Sequence, residues 1–260
     1  MKRAWIVVAW IIAVKATQAI AQLPDSHPWL ADAPGELVRL IDRGNVQILV
    51  DDDRIRNADK TALTTFQFVV DYDFKFRHQL LGYDNESHVW RVKILAWIDQ
   101  PKVKLDHKIF IQTSFVPELP WQSRLLRHEF DHVAISTDPR LLKLIKRVLQ
   151  QRRQWVATWS QESAPTEQDV RKNISDTFTV DVRSLEQLVQ TLYDYLDKES
   201  YQGLSSLNNR KDFFVGLYSV EGLDRCKFEL NETLRAYVKE KLSTPSMQRD
   251  VASHYVFSTP

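Results

Sequence analysis

The segment RLLRHEFDHVAISTD, residues 124–138, contains two histidines four positions apart, with a glutamate directly after the first. A helix in this segment is expected to end before Asp138-Pro139, because a residue that precedes proline disfavours the α conformation. The pattern predicts a helix over about 121–136. Four apolar side chains recur with the period of this helix and are expected to face a core: Leu125, Leu126, Phe130 and Val133.

The two histidines of this helix are spaced to bind one metal ion. A helix turns by about 100° per residue, so His128 and His132 lie nearly above one another and can present two imidazoles to the same ion. Catalytic zinc sites use such nitrogen ligands and keep one tetrahedral position open for water. Glu129 would reach that water and act as the general base of a peptidase. The motif predicts Zn2+ as cofactor, His128 and His132 as ligands, and Glu129 as the catalytic residue.

An alternative interpretation of the helix needs no metal. A short pattern with three fixed residues also arises by chance. Asp131 places a charge between the histidines, where zinc peptidases mostly have uncharged residues. On this interpretation the segment is a polar helix face.

The third ligand is less sharply defined than the first two. Asp138 follows His128 by ten residues, which is the spacing of the third ligand in the pattern H-E-x-x-H-x-x-G-x-x-H. However, Ile135 replaces the glycine of that pattern, and Asp138 is also explained as a turn residue before Pro139. Asp138 is the leading single candidate. The later helix offers further carboxylates, among which no spacing rule selects: Glu186, Asp194 and Asp197.

The rest of the chain predicts strands first and helices later. After an N-terminal extension over 22–44, β-branched and aromatic residues are concentrated in four segments: 46–50, 65–76, 88–98 and 103–115. Asp99-Gln100-Pro101, between the last two, predicts a hairpin turn. Helical periodicity follows in three segments: 139–161, 184–198 and 228–242. This order predicts an α+β fold with a single domain over 45–260, made of a sheet over 45–115, the active-site helix, and a helical part over 139–260.

The first 21 residues predict export. Lys2 and Arg3 precede a short apolar run, and Ala19 and Ala21 form an A-x-A cleavage pattern, so residues 1–21 have the features of a secretory signal peptide. The apolar run is too short to span a bilayer as a stable helix, and no membrane span is expected after cleavage. The mature protein is therefore expected in the periplasm or outside the cell.

Composition narrows the possible functions further. The chain has 35 Lys and Arg against 34 Asp and Glu, with a net charge of +1. No basic stripe is visible, so nucleic acid is not an expected partner. Cys226 is the only cysteine, so an exported chain has no internal disulfide and depends on its core for stability.

HEFDH, at 128–132, follows a predicted hairpin and the lead-in PELPWQSRLLR, and it resembles the predicted secreted zinc-dependent peptidases of the zincin clan. Members of this largely uncharacterised bacterial group have a β-rich N-terminal half, and many carry a later segment of the form Y-D-x-x-T-x-H-G. LDKESYQG, at 196–203, lies in the corresponding region. The resemblance implies a zincin-like fold and zinc peptidase activity. Asp197, Ser200 and Gly203 match or nearly match that segment, whereas Leu196 replaces Tyr and Gln202 replaces His.

These features together predict an exported zinc metallopeptidase that acts on a peptide or protein substrate. The predicted strand 108–114 is a candidate sheet edge along which an extended peptide adds as a strand. The alternative is a catalytically inactive, zincin-like binding or structural protein of the cell envelope. An incomplete set of metal ligands would favour this alternative.

Overall fold

The computed structural model of the protein describes residues 4–7, 21–22, 33–58, 62–115, 121, 123–244, 246–247 and 254–255. Most of the predicted signal peptide, including Ala19 of its cleavage pattern, lies outside these residues, so export stays a prediction. Within the described ranges, no helix combines the length and the apolar content that crossing a membrane requires.

The described residues contain both strands and helices, so the protein is α+β, as predicted, with a mixed sheet. The strands are β1 (Ala4–Val7), β2 (Ala21–Gln22), β3 (Val46–Val50), β4 (Ala62–Asp84), β5 (Val89–Ile111) and β6 (Arg153–Trp159). The α-helices are α1 (Gly35–Gly44), α2 (Asp52–Asn57), α3 (Arg124–Ser136), α4 (Pro139–Leu149), α5 (Glu167–Glu199), α6 (Arg210–Gly216), α7 (Val220–Arg225) and α8 (Glu232–Tyr237). A 3₁₀ turn, Thr113–Phe115, and a π-helical turn, Val238–Leu242, complete the set.

The chain divides into two compact units. The first consists of Met1–Val7, Val69–Lys104 and Lys143–Glu186, and the second of Val8–Phe68, Leu105–Leu142 and Gln187–Pro260. Every residue of the site described below belongs to the second unit.

The first unit is an antiparallel sheet with part of α5 packed on it. β1 pairs with residues 69–72 of β4, and residues 90–96 of β5 pair with β6. The ring of Phe178 in α5 lies 6.0 Å from that of Tyr72. Arg153 pairs with Asp181 of α5 at 2.6 Å. Ring contacts and an ion pair thus fix the helix on the sheet.

The second unit contains the parallel part of the sheet. β3 pairs in parallel with residues 107–111 of β5, and β2 pairs antiparallel with β3. A small buried cluster joins these strands to α2 and β4: Leu49, Ile55 and Phe110, with Leu63 packed against them. Helix α3, which carries the H-E-x-x-H motif, also belongs to this unit.

Helix α3 lies in the interior of the second unit. The Oγ of Ser123 caps its N-terminus by accepting a hydrogen bond from the N–H of Leu126 at 3.3 Å. All residues from His128 to Ser136 are buried. Near its other end, the hydroxyl of Tyr218 donates to the carbonyl oxygen of Ile135 at 2.7 Å. The motif is therefore on a helix enclosed by the protein, and not on a helix with one solvent-facing side.

Three local predictions are wrong. β5 is continuous, so no hairpin turn forms at Asp99-Gln100-Pro101; Gln100 takes a left-handed φ of 53° inside the strand, and the turn between β4 and β5 falls at residues 85–88. The helix predicted over 139–161 ends at Leu149, and the region predicted as helical contains strand β6. Residues 108–111 pair with β3, and β5 lies between β4 and β3 in the sheet, so this segment is not a free edge for a peptide.

Candidate metal centre

Two histidines of α3 and one aspartate of α5 bring their ligand atoms together. The Oδ1 atom of Asp197 lies 2.9 Å from Nε2 of His128 and 3.0 Å from Nε2 of His132. The two imidazoles are 4.7 Å apart between centroids and nearly perpendicular, at 74°. Both histidines are buried, and the side chain of Asp197 is 20% exposed. The three residues form a cluster that could hold a metal ion.

The distances and the ligand types fit a zinc ion. Two atoms that each lie about 2.0–2.1 Å from a tetrahedral zinc are about 3.3 Å apart. The N···O distances of 2.9 and 3.0 Å are a few tenths of an ångström shorter, so a small outward movement of the side chains would admit the ion. Two imidazoles and one carboxylate make up a ligand set of catalytic zinc sites, in which the fourth position is open.

The C-terminal end of α5 and the residue directly after it bring three side chains towards the histidines. Tyr193, Asp197 and Ser200 are spaced i, i+4 and i+7, which places them on successive turns of the same side. The ring of Tyr193 lies 4.5 Å from that of His132. The Oγ of Ser200 lies 3.3 Å from Nδ1 of His128. The spacing alone does not single out Asp197, because it does not show which face of α5 meets α3.

The imidazole of His128 is oriented by the contact with Ser200. If its Nδ1–H donates to the Ser200 oxygen, the lone pair of Nε2 faces Asp197 and the place of the metal. Among the described residues, Nδ1 of His132 is buried without a hydrogen-bond partner. The imidazole of His132 is instead held by the ring contact with Tyr193.

A buried hydrogen-bond network supports the end of α3. The hydroxyl of Tyr193 donates to Oγ of Ser136 at 2.9 Å, and this Oγ lies 2.6 Å from Nε2 of His107. Nδ1 of His107 lies 2.6 Å from the carbonyl oxygen of Gly44. Burial lowers the pKa of His107 and raises the pKa of Tyr193, so both side chains are neutral at pH 7. Tyr193, Ser136 and His107 are all buried, and their hydrogen bonds hold the end of α3 in place.

Glu129 is held in place by a neighbouring strand. Its Oε2 accepts a hydrogen bond from the hydroxyl of Thr64 in β4 at 2.7 Å, and the residue is 3% exposed. The same hydroxyl lies 3.2 Å from the backbone oxygen of Glu129. The side chain of the candidate general base thus has a fixed orientation. Thr64 carries no recognisable motif, and the sequence did not indicate it.

The charge of Asp131 between the two histidines has a structural partner. Both terminal guanidinium nitrogens of Arg210 donate to its carboxylate, Nη1 at 2.5 Å. Arg210 also lies over the ring of Phe214, 4.8 Å from its centroid. Asp131 therefore joins α3 to α6, and its presence in the motif is explained without reference to the metal.

Asp138, the leading prediction for the third ligand, is not brought to the histidines. Its fully buried carboxylate accepts hydrogen bonds from the backbone N–H and the guanidinium of Arg140 and, at 2.8 Å, from the hydroxyl of Tyr255. The carboxylate that the structure places at the histidines is Asp197, one of the alternatives left open by the sequence. Of the other two, Asp194 is exposed and accepts from Gln190 at 3.0 Å, and Glu186 is not a member of the cluster.

The turn after α5 packs directly on the first histidine. Gly203 has a φ of 80°, and a Cβ atom built on it would lie 2.8 Å from Cγ of His128. Glycine is therefore required here both for conformation and for space. Gln202, which replaces the histidine of the resembling family, is exposed and does not belong to the cluster.

No family model, curated protein or solved structure matches this chain. The resemblance to the secreted zinc-dependent peptidases stays an expectation, and the interpretation of the site depends on its own geometry.

Proposed function

We propose that the protein is a zinc-dependent peptidase in which His128, His132 and Asp197 bind the ion and Glu129 is the general base. The observation that supports this proposal most strongly is the position of Asp197. Its Oδ1 lies within 3.0 Å of both Nε2 atoms of an H-E-x-x-H motif, although Asp197 comes 65 positions after His132 in the sequence.

The chemistry follows from the ligand set and its neighbour. A bound zinc ion would polarise a peptide carbonyl and lower the pKa of a water molecule beside it. Glu129 takes a proton from the attacking water on its carboxylate and returns it to the nitrogen of the leaving amine. Thr64 donates to Oε2 of Glu129 and so fixes the position of the carboxylate. Water adds to the carbonyl carbon, the C–N bond breaks, and the products are a carboxylic acid and an amine.

Glu129→Gln tests the proposal. The variant keeps the size of the side chain and an oxygen for Thr64, but it cannot take a proton. We expect it to retain zinc and to hydrolyse peptides at least about 100-fold more slowly, because general base catalysis contributes about 10²–10⁴-fold. Asp194→Asn is the matched control, since it neutralises an exposed carboxylate of α5 outside the cluster. The measurements are zinc content and cleavage of a broad peptide mixture.

One observation favours a second candidate, a metal-stabilised binding or structural protein. Glu129 is 3% exposed and the two histidines are 6% and 4% exposed, so access to the site is narrow. A purely structural zinc would not depend on Glu129. If the parent protein holds zinc but hydrolyses no peptide in the mixture, this second function replaces the first.

A further inference from the structure

The turn that follows Asp197 has an unusual backbone. Tyr201, Gln202 and Gly203 adopt φ values of 49°, 56° and 80°, three consecutive residues in the left-handed region. Two of them are not glycine, and such residues adopt this conformation only rarely. Strained backbone of this kind persists where surrounding contacts fix it, and it is concentrated at functional sites.

Contacts with residues of the metal centre fix this turn. The N–H of Gln202 donates to the carbonyl oxygen of Asp197 at 2.7 Å, and that of Gly203 donates to Oγ of Ser200 at 3.1 Å. Gly203 is in contact with the ring of His128. A further hydrogen bond, from the N–H of Leu204 to the carbonyl oxygen of Tyr201 at 3.1 Å, closes the turn. The turn is thus a rigid extension of the metal centre.

Two apolar side chains project from this rigid turn into solvent. Tyr201 is 71% exposed and Leu204 is 66% exposed, the two highest values among the exposed large hydrophobic side chains of the described residues. Gly203, between them, is buried. Apolar side chains that a fixed backbone holds out beside a reactive centre are suited to binding an apolar group.

We propose that Tyr201 and Leu204 contact an apolar side chain of the peptide substrate next to the bond that is cleaved. This inference depends on the proposed peptidase function and adds the substrate class: peptides with an aromatic or large aliphatic residue beside the scissile bond. The occupant is a substrate side chain because Gly203 packs on a proposed zinc ligand, which places the turn directly beside the metal centre.

Kinetics on matched peptides tests the inference. The probes are peptides identical except at one position, which carries Phe, Leu, Gly or Asp, scanned along both sides of the cleaved bond. We expect the parent protein to have a kcat/KM about 10–100-fold higher for Phe or Leu than for Gly at one position, the range over which enzymes discriminate between apolar side chains. The double variant Tyr201→Ser/Leu204→Ser should lose most of this ratio, whereas Tyr201→Phe, which keeps the ring, should preserve it.

Leu80→Ser/Leu81→Ser is the control, because it removes two side chains of β4 that are 47% and 46% exposed and do not belong to the turn. It should leave the ratio at the parent value. Zinc content of every variant checks that the metal centre is intact. If the parent cleaves peptides without preferring Phe or Leu, or if the double variant keeps the ratio, the inference is wrong and the peptidase function stands. If the zinc-loaded parent cleaves none of the peptides, both fail.

Discussion

Gly203→Ala perturbs the metal centre through a single added methyl group. The new Cβ would lie 2.8 Å from Cγ and 2.9 Å from Cβ of His128, where ordinary contacts are 3.4–4 Å, and φ is 80°. Forcing extra volume into a packed site costs about 1–3 kcal/mol. A non-glycine residue in the left-handed conformation costs about 1–2 kcal/mol. We therefore expect the free energy of unfolding to fall by about 2–5 kcal/mol, a large part of the total of about 5–15 kcal/mol that is typical of a domain.

The same substitution should weaken zinc binding, because the methyl group displaces the imidazole of His128 from its place beside Asp197. Loss of the contacts that orient a ligand typically reduces metal affinity by about 10–100-fold. The assays are urea unfolding of the metal-free protein and zinc affinity by competition with a chelator.

Gly82→Ala is a matched control. Gly82 also has a positive φ, 116°, but a Cβ atom there would have no neighbour within 4 Å. Gly82→Ala should therefore cost only the backbone contribution, about 1–3 kcal/mol, and should leave zinc affinity at the parent value. If Gly203→Ala binds zinc as tightly as Gly82→Ala and is no less stable, the turn does not pack on His128 as described.

Three further predictions concern other parts of the chain. Asp138→Asn leaves the buried Arg140 without its ion-pair partner, so the free energy of unfolding should fall by about 3–5 kcal/mol while zinc content stays at the parent value. If the variant loses zinc, Asp138 is a metal ligand after all. Burial lowers the pKa of His254, so the unfolded chain binds the proton first as pH falls below about 6.5. The free energy of unfolding, measured with urea, should therefore decrease between pH 7.5 and 5.5, and it should decrease less in His254→Gln. An equal decrease in the variant and the parent would show that His254 is not the group responsible. Expression in a host that exports the protein should yield a mature chain that starts near Gln22, and N-terminal sequencing that finds Met1 retained would refute the signal peptide.

The sequence predicted the helix that brings His128 and His132 together. His128, Glu129 and His132 are fixed relative to one another by one helix, and the predicted helix over 121–136 corresponds to Arg124–Ser136 in the structure. The third ligand depends on which turn of α5 faces α3, a tertiary contact that local spacing does not encode. Asp138 has the spacing of a metal ligand, but its carboxylate forms an ion pair with Arg140, two residues later.

The errors in secondary structure also have physical reasons. Asp99-Gln100-Pro101 has the composition of a turn, yet Gln100 adopts its positive φ within a continuous strand. The helix predicted from the periodicity of α4 continues past Leu149 to residue 161. In the structure, Trp155, Ala157 and Trp159 alternate with more exposed residues, which is the period of a strand. Residues 153–159 form a strand because they pair with residues 90–96 of β5.

Zinc content after dialysis against a weak chelator tests the central claim most directly, compared between the parent protein, Asp197→Ala and Asp194→Ala. Asp197 and Asp194 are carboxylates of the same helix, three residues apart, and only Asp197 faces the histidines. We predict one zinc ion per chain in the parent and in Asp194→Ala, and almost none in Asp197→Ala. A parent protein without zinc, or an Asp197→Ala variant that retains as much zinc as the parent, would contradict a site built from His128, His132 and Asp197.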